Sequence, residues 1–197
     1  MSVVLLLIGS STAACSQGDD PGAAPEAKPT PITAFDADGM TIARTDFCDR
    51  IPEIAVERAV GEVEETDHYG NGESAAVTGS VKDVSHEFNC TFTGTSGAVA
   101  RVWVFVPQVT RAQAGELVKE AGRREECRRV PGEGFGKPST GLSCRTKDGA
   151  EASYRGLFVD SWLACSVSSP DRSAAGKELL ELAGSWCVQA VSAAATE

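Results

Sequence analysis

A chain of 197 residues with 18 basic and 28 acidic side chains, for a net charge of −10, has room for one core of ordinary size or at most a pair of small ones. That acidity argues against a grip on a phosphate backbone, which takes a basic patch, so no nucleic-acid partner is expected. Seven cysteines against two histidines, with no Cys-x-x-Cys spacing, favour disulfides over a metal site.

The chain opens on a short apolar run, Val3-Val4-Leu5-Leu6-Leu7-Ile8, followed by Thr12-Ala13-Ala14-Cys15. The run falls short of the roughly 20 residues that cross a bilayer as a helix, so residues 1–14 read as a removable address. The pattern resembles the signal peptide and lipobox of a bacterial lipoprotein. That resemblance implies lipidation of Cys15 and a place on the outer face of the cell membrane. Two features depart from it: no Lys or Arg precedes the run, and Thr12 stands where Leu is usual. A start codon further upstream would supply the missing charge. The alternative is an ordinary secretory signal cut near Ala14, which leaves Cys15 a spare thiol on a secreted protein.

From Ser16 to Gly39 the chain is rich in Pro, Gly, Ala, Asp and Glu and cannot bury enough apolar surface to offset its ordering. Residues 15–39 are therefore expected to form a lipidated cysteine and a flexible tether, with a reach of roughly 25–30 Å. Residues 40–197 are expected to form one extracytoplasmic domain.

Within that body a helix is expected from about Asp49 to Val60, with Pro52 tolerated in its first turn. The polar stretch Glu64–Gly72 reads as a loop. Strands follow at Ser74–Lys82, Ser85–Thr93 and Val99–Val106. Because Val102-Trp103-Val104-Phe105-Val106 is apolar on both faces, it should be central and covered on both sides. A twisted sheet under a helix on one side and a loop on the other would also satisfy it. A second helix opens at Thr110-Arg111-Ala112-Gln113, a capping-box spacing, and ends near Arg129. Strands Leu142–Lys147, Ala150–Val159 and Ser161–Ser168 follow a glycine-rich loop, with a hairpin turn at Asp148-Gly149. A third helix follows Ser169-Pro170 and carries an apolar stripe of Leu179, Leu182, Ala183, Trp186 and Ala190. The order α-βββ-α-βββ-α predicts an α+β fold, an antiparallel sheet with helices packed on it, in one sheet or two.

Setting Cys15 aside leaves six cysteines, and an even number in an exported chain points to disulfides. Period-2 geometry puts Cys165 on one face with Leu163 and Val167, and Cys187 lies at the edge of the third helix's stripe, which suggests Cys165–Cys187. Cys90 shares a face with Phe88 and Phe92, and Cys48 sits one turn before Ile51, which suggests Cys48–Cys90. Cys127–Cys144 is what remains.

The Pro-rich tether, the cysteine opening the first helix (Phe47-Cys48-Asp49-Arg50-Ile51-Pro52) and the cysteine in a following strand (Phe88-Asn89-Cys90-Thr91-Phe92) resemble the actinobacterial secreted lipoproteins of unknown function. The resemblance implies an envelope location and no established chemistry.

No catalytic constellation stands out, and no cofactor or metal is called for. His86 has no Gly-x-Ser-x-Gly nucleophile to serve, and His68 reads as a solvated loop residue. Gly132-Glu133-Gly134-Phe135-Gly136-Lys137 lacks the Walker spacing, though an exposed Phe135 would offer a partner contact. The cluster Arg123, Arg124, Arg128, Arg129 and Lys137 reads as a solvated face interleaved with Glu120, Glu125 and Glu126. Asn89-Cys90-Thr91 matches a glycosylation acceptor but shares Cys90 with an expected disulfide. The sequence therefore points to a lipid-anchored, non-catalytic binding or accessory module of the cell envelope, with the membrane and an unidentified protein or small ligand as partners. The competing readings are an extracytoplasmic enzyme with carboxylate acid–base groups and a structural surface protein.

Overall fold

The computed structural model describes residues 28–78, 81–132 and 134–196, without the side chains of 75–81. The expected signal segment, Cys15 and the start of the tether lie outside the described residues. A short 3₁₀ turn at Cys48–Arg50 precedes α1 (Glu53–Val60), and β1 (Val63–Tyr69), β2 (Ser74–Thr78), β3 (Val81–Val84), β4 (Glu87–Gly94) and β5 (Val99–Phe105) follow. Then come α2 (Arg111–Ala121), β6 (Cys127–Val130), β7 (Ser139–Thr146), β8 (Gly149–Phe158), β9 (Ser161–Ser169) and α3 (Lys177–Ala194). Seven strands form one antiparallel sheet in the order β1-β4-β5-β9-β8-β7-β6, and β2 and β3 make a separate hairpin.

The α+β class holds, with more strands than the sequence announced. Val63–Tyr69 is not a loop but an edge strand, exposed along its whole length. Ser74–Lys82 divides into β2 and the start of β3. The second helix stops at Ala121, and Cys127 opens the other edge strand. The β7–β8 hairpin closes with Thr146 opposite Gly149, so Lys147 and Asp148 are its central residues.

One face of the sheet carries the main core. Cys90, Val102, Leu163 and Tyr154 lie on that face of four adjacent strands, where α3 and α1 cover them. α3 forms there because its buried residues, among them Leu179, Ala183, Trp186, Ala190 and Ala194, recur three or four apart on helix-forming sequence. Trp186 is 1 % exposed. It packs edge-on against Phe92 at 5.8 Å and donates its indole N–H to the Arg101 carbonyl at 3.0 Å, which satisfies the one polar atom it buries. α1 starts after Pro52 and ends at Gly61, whose φ of 77° suits glycine.

The opposite face is covered over part of its width. α2 begins in the expected capping box, with Thr110 Oγ1 accepting from the Gln113 amide and the Gln113 side chain accepting from the Thr110 amide. Its buried residues meet Leu157 and Trp162 at one end and Leu142 and Cys144 at the other. These alternate along the strands with the residues facing α3.

All three expected disulfides are present: Cys48–Cys90, Cys127–Cys144 and Cys165–Cys187. The first and third tie the sheet to the 3₁₀ turn before α1 and to α3. Cys127 and Cys144 sit directly opposite each other on β6 and β7, with Cα atoms 4.0 Å apart. This explains why Cys127 does not extend the stripe of α2.

Two further expectations change. The tether was to reach Gly39, yet Ile32 and Ala37 are buried in the main core, with Phe35 packed beside them. Apolar side chains in a polar segment found an apolar surface, and Ile32 and Ala37 belong to the folded body. Phe135 is not exposed but fully buried against Phe158, at 5.2 Å edge-on, and near Tyr154. Burying a ring of that size contributes about 2–3 kcal/mol. The flanking glycines are needed because a Cβ at Gly134 or Gly136 would meet the backbone of Ile32, Phe35 or Leu157.

Candidate functional site

α2 packs mainly over β7, β8 and the start of β9, with Phe105 of β5 at the margin of that cluster, so most of the β1–β4–β5 part of the second face is left bare. Register places its side chains in rows across the strands. One row reads Tyr69, Asn89, Trp103, Ala164, and the next reads Asp67, Thr91, Arg101, Ser166. Glu87 and Phe105 form a third, partial row beside the first.

Tyr69, Asn89, Trp103, Asp67, Thr91, Arg101 and Glu87 from these rows line an open trough of about 580 Å³ over β1, β4 and β5. A second hollow of about 400 Å³ continues it toward the β2–β3 hairpin, bounded by Glu73, Asp83 and His86. Tyr69 and Glu87 line both, so the two hollows adjoin at this pair as arms on either side of it. Volumes of this order suit small ligands.

The polar chemistry of the trough is only partly satisfied from within. Tyr69 donates its hydroxyl to Glu87 at 2.5 Å. Burial, followed by that hydrogen bond and the charge of Glu87, pushes the phenol up to about 12, with Arg101 opposing. Asn89, buried on the floor, accepts from the Thr91 hydroxyl through Oδ1 at 2.9 Å. Among the described residues, nothing accepts from its Nδ2, and neither Asp67 nor the Arg101 guanidinium has an ion-pair partner. Asp67 and Arg101 flank Thr91 in their row without pairing with each other. Further along the first row, beyond Ala164, Arg155 donates to Ser153 Oγ at 3.0 Å while its Nε, buried, meets no partner. Burial holds that guanidinium below its usual range, partly offset by Glu151.

The sequence candidates distribute unevenly around this site. His68 is in β1, not a loop, and lines the trough, while His86 borders the second arm. The basic cluster is elsewhere. Arg123 pairs with Glu120 at 2.6 Å, Lys137 with Asp38 at 2.9 Å, and Arg124 approaches Glu151 at 3.5 Å. These are exposed pairs that stabilise by well under about 1 kcal/mol each. Trp103 was expected to be covered on both sides and is instead partly exposed on the bare face. Asn89 carried a signal only as a glycosylation triplet. Among the described residues no helix is long and apolar enough to cross a membrane, and no group of three or more metal-ligating side chains converges.

No protein-family model, curated protein or solved structure matches the chain.

Proposed function

We propose that the protein is a lipid-anchored, non-catalytic binding module of the cell envelope, held by Cys15 outside the membrane, and that the bare part of its sheet is the binding face. The observation that carries this reading is the uneven covering of the sheet. A face meant only to be solvated has no use for a partly exposed Trp103, or for a buried Asn89 whose amide donors meet no acceptor among the described residues. The three disulfides fit an oxidising compartment, and the acidic charge supports solubility there.

Two measurements on cells making the full chain test it. Mass spectrometry of the mature protein is expected to find acyl chains on Cys15, and Cys15→Ser is expected to release the protein from the membrane fraction. A photocrosslinking amino acid in place of Trp103 is expected to capture a ligand or partner that the same group in place of Leu117, exposed on α2, does not. Unmodified Cys15 removes the anchor from the proposal, and equal capture at both positions removes the binding face.

A further inference from the structure

We infer that the ligand of this face is an oligosaccharide, neutral or amine-bearing, with one sugar ring laid on Trp103 and its hydroxyls bonded by Asn89, Asp67 and Arg101. The inference rests on the reading of the bare face as the binding surface and names the chemistry it recognises.

A pyranose ring presents C–H groups on its faces and hydroxyls around its rim. It is held by a flat aromatic surface ringed with planar polar groups that donate and accept in pairs. Trp103 supplies the surface from β5. Asn89, beside it on β4, has spent its oxygen on Thr91 and keeps its Nδ2 donors. Asp67 and Arg101 stand on either side of Thr91 in the neighbouring row, each with its full set of acceptors or donors, since neither is tied up in an ion pair among the described residues. A carboxylate, an amide and a guanidinium around one exposed indole match the rim of a sugar more closely than they match an apolar peptide side chain.

Charge narrows the class. Asp67 and Glu87 outnumber Arg101 in the first arm, and Glu73 and Asp83 border the second. An acidic polymer would be repelled, whereas a neutral chain meets no penalty and an amino sugar gains carboxylate partners. Shape points to a chain over a single ring: two open hollows lie side by side, with the Tyr69–Glu87 pair on their common border.

The test uses the full chain with maltohexaose, cellohexaose and chitohexaose as probes, and a Lys/Arg-rich decapeptide in parallel. Trp162 and Trp186 are 7 % and 1 % exposed, so acrylamide-quenchable emission reports Trp103. At least one hexasaccharide is expected to protect that emission at millimolar concentration, with little dependence on salt for maltohexaose or cellohexaose and a partial one for the amine-bearing chitohexaose. Asp67→Asn and Arg101→Gln, at exposed positions that leave Trp103 in place, are expected to weaken protection roughly tenfold each, the scale of one lost charged hydrogen bond. Protection by the decapeptide alone, abolished by salt, overturns the saccharide and leaves the face a binding surface. Protection by no probe also overturns the saccharide, and the crosslinking at Trp103 then decides the wider reading separately.

Discussion

Tyr69 on edge strand β1 and Glu87 on β4 share a hydrogen bond of 2.5 Å at the junction of the two arms of the trough. The phenol is neutral in this pairing, and the folded protein holds it so up to about pH 12, against an ordinary value of 10.0.

A raised pKa in the folded state makes the stabilisation complete below the unfolded value and lost as pH rises through the folded one. The Tyr69 contribution is therefore present below about pH 10 and disappears toward about pH 12. Burial also raises the other tyrosine, Tyr154, so absorbance titration of tyrosinate in a Tyr154→Phe background is expected to show the late-titrating phenol of Tyr69. Glu87→Gln should bring it down without returning it to 10.0, because burial, the largest cause, remains. A return to the ordinary value would assign the shift to Glu87 instead.

Two glycines on the same molecule should respond to alanine in opposite directions. Gly115 lies inside α2 with nothing within 4 Å of an added Cβ, so Gly115→Ala is expected to stabilise by about 0.5–1 kcal/mol. At Gly156 on β8 the new carbon would strike the Phe135 carbonyl, so Gly156→Ala is expected to cost about 2 kcal/mol or more. Urea unfolding midpoints of the two variants decide both signs.

Val159, with Asp160, makes the turn from β8 to β9 at a φ of 57°, a left-handed conformation that a β-branched residue avoids. Its side chain is 64 % exposed and gives little burial in return. Val159→Gly relieves strain of order 1–3 kcal/mol against a glycine entropy cost of about 0.5–1 kcal/mol. A net gain of about 1 kcal/mol is expected in thermal or urea unfolding, and a loss would mean that the side chain holds something beyond the turn.

The Cys165–Cys187 bridge closes 22 residues and joins the central strand β9 to α3. Chain entropy alone puts its removal at about 3.5 kcal/mol. Replacing both cysteines by Ala is expected to lower stability by at least that much, since Cys165 and Cys187 are both 0 % exposed and the lost sulfurs leave a gap. A change below about 1 kcal/mol, measured by denaturant unfolding, would show that packing of α3 on β9 holds without the covalent tie.

How much of this was readable beforehand follows from how much each element buries. α3, β8 and β9 lie in the middle of the packing, where Leu, Val, Ala and Trp must recur at the helical or strand period, and their sequences say so. Two of the disulfides were readable for the same reason, because inward-facing cysteines on inward-facing periods meet across the core, whereas Cys127–Cys144 followed only by elimination, its edge strand β6 carrying no apolar period. β1 and β6 were missed. Both are edges of the sheet. Val63–Tyr69 is exposed throughout and carries Glu64, Glu65 and Asp67, and β6 carries Arg128 and Arg129. Charges on an edge hinder pairing with another chain, and they erase the apolar alternation by which a strand is recognised.

The candidate site was hidden for a different reason. Tyr69, Asn89 and Trp103 stand in one row only because β1, β4 and β5 are neighbours in this register. The α+β class, the apolar face of α3 and two of the three cysteine pairs follow from the sequence, since burial imprints a local period on each of them. That α2 packs over β7 and β8 and leaves Trp103 on β5 partly exposed is a matter of tertiary packing alone. An apolar Trp103 reads the same in sequence whether a helix or a ligand lies over it, and what lies over it depends on where a distant helix ends.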